Sequence, residues 1–224
     1  EFRRVLFRSA LAAIGLHISI GSVYAWSVLT RPIMADMGFT LSQTTWTFSL
    51  AILMLGLSAG FLGSFAEKIG PKKSGLLAML FWVTGLFGTA YALSIHNLTL
   101  LYLFYGIIGG IGLGIGYITP VSTLVKYFPN RPGFATGLAI MGFGFASLIA
   151  GPLMQYLVAQ VGLVDTFIIL GVIYLAIMGA SSLYLKAPQP KHSTRTTKDR
   201  STMYVHTYGM LANDAMKTWQ FGAL

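Results

Sequence analysis

Residues 74–125 read SGLLAMLFWVTGLFGTAYALSIHNLTLLYLFYGIIGGIGLGIGYITPVSTLV and contain no Asp, Glu, Lys or Arg. A hydrocarbon core of about 30 Å is crossed by about 20 apolar residues in helical form. The stretch is long enough for two crossings, read at 74–95 and 99–125 with the turn between them. Working outward, four more apolar runs lie at about 10–30, 44–66, 135–157 and 165–186. Irregular backbone cannot face lipid, so each run is expected to be helical. The first run is too long for the apolar part of a signal peptide, carries Tyr24 and Trp26 near its end, and lacks a small-x-small cleavage site. The expected fold class is an all-α membrane protein with six transmembrane helices over 10–186.

Composition agrees. Hydrophobic residues make up 55% of the 224 positions and charged residues 9%, against about a quarter charged in soluble domains. The net charge of +9 does not point to nucleic acid, because the basic residues sit in short loops rather than in a stripe. Cysteine is absent, which removes disulfides, thiolate nucleophiles and Cys-based metal sites.

The loops alternate in charge. Lys68, Lys72 and Lys73 follow the second span, Lys126 and Arg131 the fourth, and a longer basic segment the sixth. The opposite loops hold Arg31 alone among basic residues, so the split without Arg3, Arg4 and Arg8 is eleven to one. The positive-inside rule then places the N-terminus and the segment 187–217 in the cytoplasm, in a multi-pass protein of the cell membrane. Pro188 and Pro190 end the sixth helix, and 187–217 reads as a polar linker. Residues 218–224 turn apolar again and read as the start of a truncated seventh span. Residues 1–9 read as a non-native joint or a cytoplasmic N-terminus, and the chain as a fragment.

A weak internal repeat is present. Gly21-x-x-Tyr24-x-x-x-Val28 matches Gly114-x-x-Tyr117-x-x-x-Val121, Gly38-Phe39 matches Gly133-Phe134, and Gly70 matches Gly162. Three is odd, so a three-span repeat must place its second copy upside down. Inverted three-helix repeats are characteristic of secondary transporters, whose substrate lies near the repeat interface at mid-membrane.

Glycines at four-residue spacing in the fourth span (Gly106, Gly110, Gly114) are expected to let another helix approach closely. The spacing is not that of a nucleotide-binding loop, and no strand-turn-helix frames it. Gly56, Gly60, Gly137, Gly144 and Gly151 read as packing positions too, and Gly151-Pro152 and Thr119-Pro120 as kinks. Asn97-Leu98-Thr99 matches a glycosylation sequon but lies too close to two spans for easy modification.

The loop Gly63-Ser64-Phe65-Ala66-Glu67-Lys68-Ile69-Gly70-Pro71-Lys72-Lys73 resembles the signature loop between the second and third spans of the major facilitator superfamily. Gly63, Glu67, Lys68, Gly70, Lys72 and Lys73 fill its positions, with Glu for Asp and Pro71 for an Arg. An acid near a helix end beside basic residues can act as a cytoplasmic latch that breaks on gating.

Three further stretches narrow the branch: Gly21-Ser22-Val23-Tyr24-Ala25-Trp26-Ser27, the run 109–123 with Tyr117-Ile118-Thr119-Pro120, and Lys126-Tyr127-Phe128-Pro129-Asn130-Arg131 with the following Gly133-Phe134-Ala135-Thr136-Gly137. They are similar to the oxalate/formate antiporter family, near the monocarboxylate porters. The resemblance covers 10–224 and implies the N-terminal half of a twelve-span fold, working by alternating access on carboxylates. It also implies that the basic residues pairing with the anion lie in the second half, a partner this chain lacks.

What this half can offer is an aromatic, hydroxyl-bearing wall. Tyr24 and Tyr117 hold equivalent repeat positions and share helical faces with small residues, so both are candidates to line the substrate path. Phe143, between Gly142 and Gly144, resembles an aromatic position of the family cavity where oxalate-handling relatives tend to carry Tyr. The lost hydroxyl, and Val23 beside Tyr24, favour monocarboxylates such as lactate, formate or pyruvate over oxalate. His17 is the one residue here that could be cationic deep in a span, and it reads more readily as packing. No nucleophile, acid/base pair or metal cluster appears, so no enzyme, catalytic residue, cofactor or metal is expected. The alternatives are a proton-coupled carrier of a drug or sugar, and more remotely a membrane sensor or channel, although no filter-like feature is evident.

Overall fold

The computed structural model describes residues 2–128 and 130–186, with side chains from Arg8 onward. The linker at 187–217 and the seventh-span start at 218–224 lie outside the described residues. Six helices are long and apolar enough to cross a membrane: α1 (Arg8–Met37), α2 (Leu41–Ile69), α3 (Pro71–Ser94), α4 (Leu98–Tyr127), α5 (Pro132–Val161) and α6 (Leu163–Tyr184). There is no strand among the described residues. Several helices run past the apolar stretches read from the sequence, to 30 residues in α1, α4 and α5.

Local chemistry sets those ends. Gly38 takes a left-handed φ of 68° and closes α1, its N–H donating to Met34 O at 3.1 Å. Thr40 and Gln43 then form a capping box on α2, with Gln43 N–H donating to Thr40 Oγ1 at 3.2 Å and Thr40 N–H to Gln43 Oε1 at 2.9 Å. Asn97 Oδ1 accepts from Leu100 N–H and starts α4. Pro71 and Pro132 occupy first helical positions, where a missing N–H costs nothing.

Neither α1 nor α4 is uniformly α-helical. The helix containing α1 is α over Phe2–Gly21, so it begins ahead of the apolar span; it tightens to a 3-10 turn at Ser22–Ala25 and resumes as α over Trp26–Met37. In α4 the stretch Tyr102–Gly109 widens to a π-helix. There the Phe104 ring overlies Gly88 of α3, where a Cβ would collide with it at 2.0 Å. Departures of this kind within a helix often accompany functional sites.

The packing has the repeat built into it. The pairing of α2 with α4 has its counterpart in α5 with α1, and that of α3 with α4 in α6 with α1, while α3 packs against α6 and α1 against α4. Two sequence matches share a structural role. A Cβ on Gly21 would meet Phe143 O at 2.3 Å, and one on Gly114 would meet Leu55 O at 2.4 Å. Gly70 and Gly162 both have positive φ, 83° and 85°, where the chain turns between α2 and α3 and between α5 and α6. The third match does not share one: Gly38 is a left-handed cap, whereas Gly133 lies inside the first turn of α5.

One end of the bundle gathers the basic loops. Tyr127 Oη donates to Lys186 O at 2.9 Å, and Ser9 Oγ lies 3.3 Å from both. This ties the start of α1 to the ends of α4 and α6.

Candidate substrate wall and gating loop

Tyr24 sits in the 3-10 turn of α1, Tyr117 three residues before Pro120 in α4, and Phe143 in the middle of α5. The fold brings all three together. The Tyr24 and Phe143 rings are 5.1 Å apart at 72°, and the Tyr117 and Phe143 rings 5.4 Å apart at 63°. Both are edge-to-face contacts, each worth about 0.5–1.5 kcal/mol beyond burial. Phe48 of α2 extends the cluster, its ring 6.4 Å from Tyr24. Exposure grades across it: Tyr24 is 45% exposed, Tyr117 half-buried and Phe143 4% exposed. Phe143 therefore supports the two tyrosines more than it fronts the surface. Val23 is fully buried and does not border the groove at Tyr24, so, against the expectation from sequence, it does not discriminate between monocarboxylates and oxalate there.

A groove of about 570 Å³ opens beside Tyr24, bordered by Ser27, Thr30, Arg31, Thr45 and Phe48. The sequence marks Arg31 only as an isolated outer charge; the structure puts it on the same groove as Tyr24. Among the described residues Arg31 makes no ion pair.

His17 is the larger surprise. Its ring is fully buried, with centroids 5.9 Å from both Tyr117 and Phe143. Nδ1 lies 2.6 Å from Ala139 O on α5, and Nε2 lies 3.2 Å from Tyr117 O on α4. Both acceptors are main-chain carbonyls, so no side-chain pattern in the sequence could have signalled them.

The glycines of α4 make close approaches. Gly106 meets the Leu50 side chain, Gly110 meets Met54 Cβ and Ala51 O, and Gly114 meets Ser58 Oγ and Leu55 O, each nearer to an added Cβ than 3.0 Å. Gly151 is looser, with Val28 at 3.8 Å, and the adjoining Pro152 is exposed. Gly56, Gly60, Gly137 and Gly144 have no such neighbour among the described residues, so within these six helices they are not contact points.

In the gating loop, Glu67 at the end of α2 pairs with Lys126 at the end of α4 at 3.4 Å, both about half exposed. Its partner is not among the loop's own Lys68, Lys72 and Lys73. Gly63 sits 3.8 Å from Ile118 when given a Cβ, and Gly70 supplies the positive-φ corner. An exposed pair of this kind contributes about 0.2–1 kcal/mol, weak enough to break and re-form.

Comparison with known proteins follows this geometry. Residues 11–221 match the Major Facilitator Superfamily. Over 197 residues the chain is 30% identical to "Uncharacterized MFS-type transporter YhjX" of Escherichia coli (strain K12), covering 88% of the chain and 48% of that protein. It is 28% identical to "Monocarboxylate transporter 14" of Homo sapiens, covering 74% and 32%. It is 26% identical to "Oxalate:formate antiporter" of Oxalobacter formigenes, covering 75% and 39%. The chain spans half or less of the length of these relatives.

Proposed function

This chain belongs to the Major Facilitator Superfamily, and we propose that it supplies one six-helix half of a secondary transporter for small organic anions, monocarboxylates before oxalate. The observation that carries the reading is the wall itself. Tyr24, Tyr117 and Phe143 come from three helices to one aromatic cluster beside a groove holding Arg31, a cation with no ion pair among the described residues. Tyrosine hydroxyls and a guanidinium are donors, and a carboxylate in a membrane cavity needs donors because an unpaired buried charge is costly.

The remaining wall comes from a second half. Exposed apolar side chains on α2 and α5, among them Leu53, Phe61, Phe145 and Leu148, offer it a surface, and the relatives' greater length is consistent with one. Glu67, Lys68, Lys72 and Lys73 act as the cytoplasmic latch, with Glu67 releasing Lys126 when the helix ends separate, and Gly106, Gly110 and Gly114 provide the close seams along which α4 shifts. The N-terminus and 187–217 face the cytoplasm by the charge asymmetry of the loops. No covalent chemistry is assigned to the chain.

The test is counterflow with labelled lactate, formate and oxalate after reconstituting the protein joined to its second half. Exchange of lactate or formate, with oxalate weaker, is the expected result. Absence of exchange with all three carboxylates overturns the assignment.

A further inference from the structure

His17 presents both ring nitrogens to carbonyl oxygens, Ala139 O at 2.6 Å and Tyr117 O at 3.2 Å. A neutral imidazole has one N–H donor and one bare acceptor nitrogen. In this pocket a neutral ring satisfies one carbonyl and points a lone pair at the other. Only the doubly protonated ring donates to both. Burial of that charge is costly, and the surroundings of the ring act against part of that cost. Two carbonyls accept the N–H groups, and the Tyr117 and Phe143 rings lie 5.9 Å away, within reach of a cation–π contribution.

The three groups ride on three helices: the ring on α1, one carbonyl on α4 and the other on α5. Gly142 lies against the ring's Cβ, so α5 comes close enough for Nδ1 to reach its carbonyl. The ring has no exposed surface. A proton therefore enters or leaves only when α4 or α5 draws back from α1. Tyr117 is the titratable side chain whose ring contacts His17 among the described residues. On α4, Tyr102 donates to Gln43 O, Tyr105 packs with Trp26, Trp82 and Phe167, and Lys126 and Tyr127 are engaged at the helix end by Glu67 and Lys186 O. Among titratable residues α5 carries only Tyr156, and α6, which also packs on α1, carries Asp165 in its first turn, Tyr174 and Tyr184. No carboxylate competes for the proton there among the described residues.

We propose that His17 is a proton-binding site, holding its second ring proton while α1, α4 and α5 are packed as observed and releasing it to the aqueous cavity when one carbonyl withdraws. Only an N–H bond is made or broken, and water supplies and receives the proton. A ligand that binds one arrangement better than the other shifts the population toward it, so proton occupancy and helix position are linked. That this proton is the ion coupled to carboxylate movement rests on the transport reading above; that the ring binds it does not.

The test is nitrogen-15 NMR of histidine-labelled protein in lipid nanodiscs, with His96, His192 and His206 replaced by Gln so that His17 alone among this chain's histidines reports. Between about pH 5 and about pH 8, the window in which histidine charge ordinarily changes, the expected spectrum shows both ring nitrogens protonated at the acid end. A spectrum with one bare nitrogen throughout overturns the proposal. In proteoliposomes, His17→Gln is expected to flatten the pH profile of carboxylate uptake at least threefold while counterflow persists; an unchanged profile overturns the coupling. Wild-type protein that binds the proton but moves no carboxylate would overturn the transport reading and leave the site standing.

Discussion

Tyr24 and Trp26 lie two residues apart on α1 and belong to two different aromatic clusters. Trp26 joins Trp82, Tyr105 and Phe167, with ring separations of 4.3 Å to Tyr105 and 6.5 Å to Phe167; Trp82 and Phe167 lie 5.6 and 6.2 Å from Tyr105. All four rings are buried. Tyr24 joins Tyr117, Phe143 and Phe48 on a face that stays open. Residues two apart are about 200° apart around an α-helix and about 240° apart in a 3-10 turn, so Tyr24, in the 3-10 turn, and Trp26, which begins the next α segment, leave α1 on different sides. The buried cluster draws on α1, α3, α4 and α6, and the open one on α1, α2, α4 and α5. The repeat-related helices α1 and α4 therefore serve both. What differs is the pair they meet: α3 and α6 close over one cluster, and α2 and α5 leave the other accessible. Aromatic residue type alone does not separate packing from path; the helices opposite do.

That contrast breaks most sharply at Trp82. Truncating a buried Trp costs about 3–5 kcal/mol, and Trp82 is buried in the closed cluster against Tyr105. Its indole N–H has no hydrogen-bond partner among the described residues, so Trp82→Phe is expected to cost much less than Trp82→Ala. Thermal unfolding in detergent checks both. Tyr24→Ala gives up an edge-to-face contact worth about 0.5–1.5 kcal/mol and should lower the unfolding temperature much less than Trp82→Ala, while abolishing most carboxylate exchange. Equal unfolding losses for Trp82→Ala and Tyr24→Ala would erase the distinction.

Glycines sharpen the same comparison at a smaller scale. Gly114 lies on a closed seam, where an added Cβ meets Leu55 O at 2.4 Å, and Gly144, next to Phe143 on the wall helix, has open space. Gly114→Ala is expected to destabilise by about 1–3 kcal/mol through overpacking. Gly144→Ala is expected to be neutral or stabilising by up to about 1 kcal/mol, because Ala favours helix over Gly. Chemical unfolding of the two variants side by side decides it, and a loss at Gly144 would mean a neighbour these six helices do not supply.

Much of this was legible before any coordinates. The charge-free run 74–125 implied paired crossings, and the Gly21/Gly114 match identified positions that make equivalent close approaches. Tyr24 and Tyr117 followed from that repeat, and Phe143 from family resemblance. The limits are equally physical. Gly38 and Gly133 match in sequence but differ in backbone, because one ends a helix and the other begins one. The closed cluster has no period or motif; Trp82 and Tyr105 meet only because α3 packs on the π-helical part of α4. His17 is packed, as its sequence context suggests, but its two partners are carbonyls, which every residue possesses, so no pattern of side chains points to them.

The smallest effect is the most specific test of the open cluster. Tyr24→Phe and Tyr117→Phe each remove one hydroxyl and keep the ring contacts with Phe143. Neither hydroxyl makes a hydrogen bond among the described residues, so neither change should lower the unfolding temperature. If the hydroxyls donate to a bound carboxylate, each loss costs about 1.5–3 kcal/mol for a bond to a charged group when fully desolvated. Tyr24 is 45% exposed and water can replace its partner, so its loss should be nearer 1 kcal/mol, about fivefold in apparent affinity. Tyr117 is more buried and water is less available there, so Tyr117→Phe should weaken affinity by the larger factor. Competition of lactate and formate against labelled substrate measures both. The reverse order would place the anion out at the groove by Arg31 rather than between the two tyrosines.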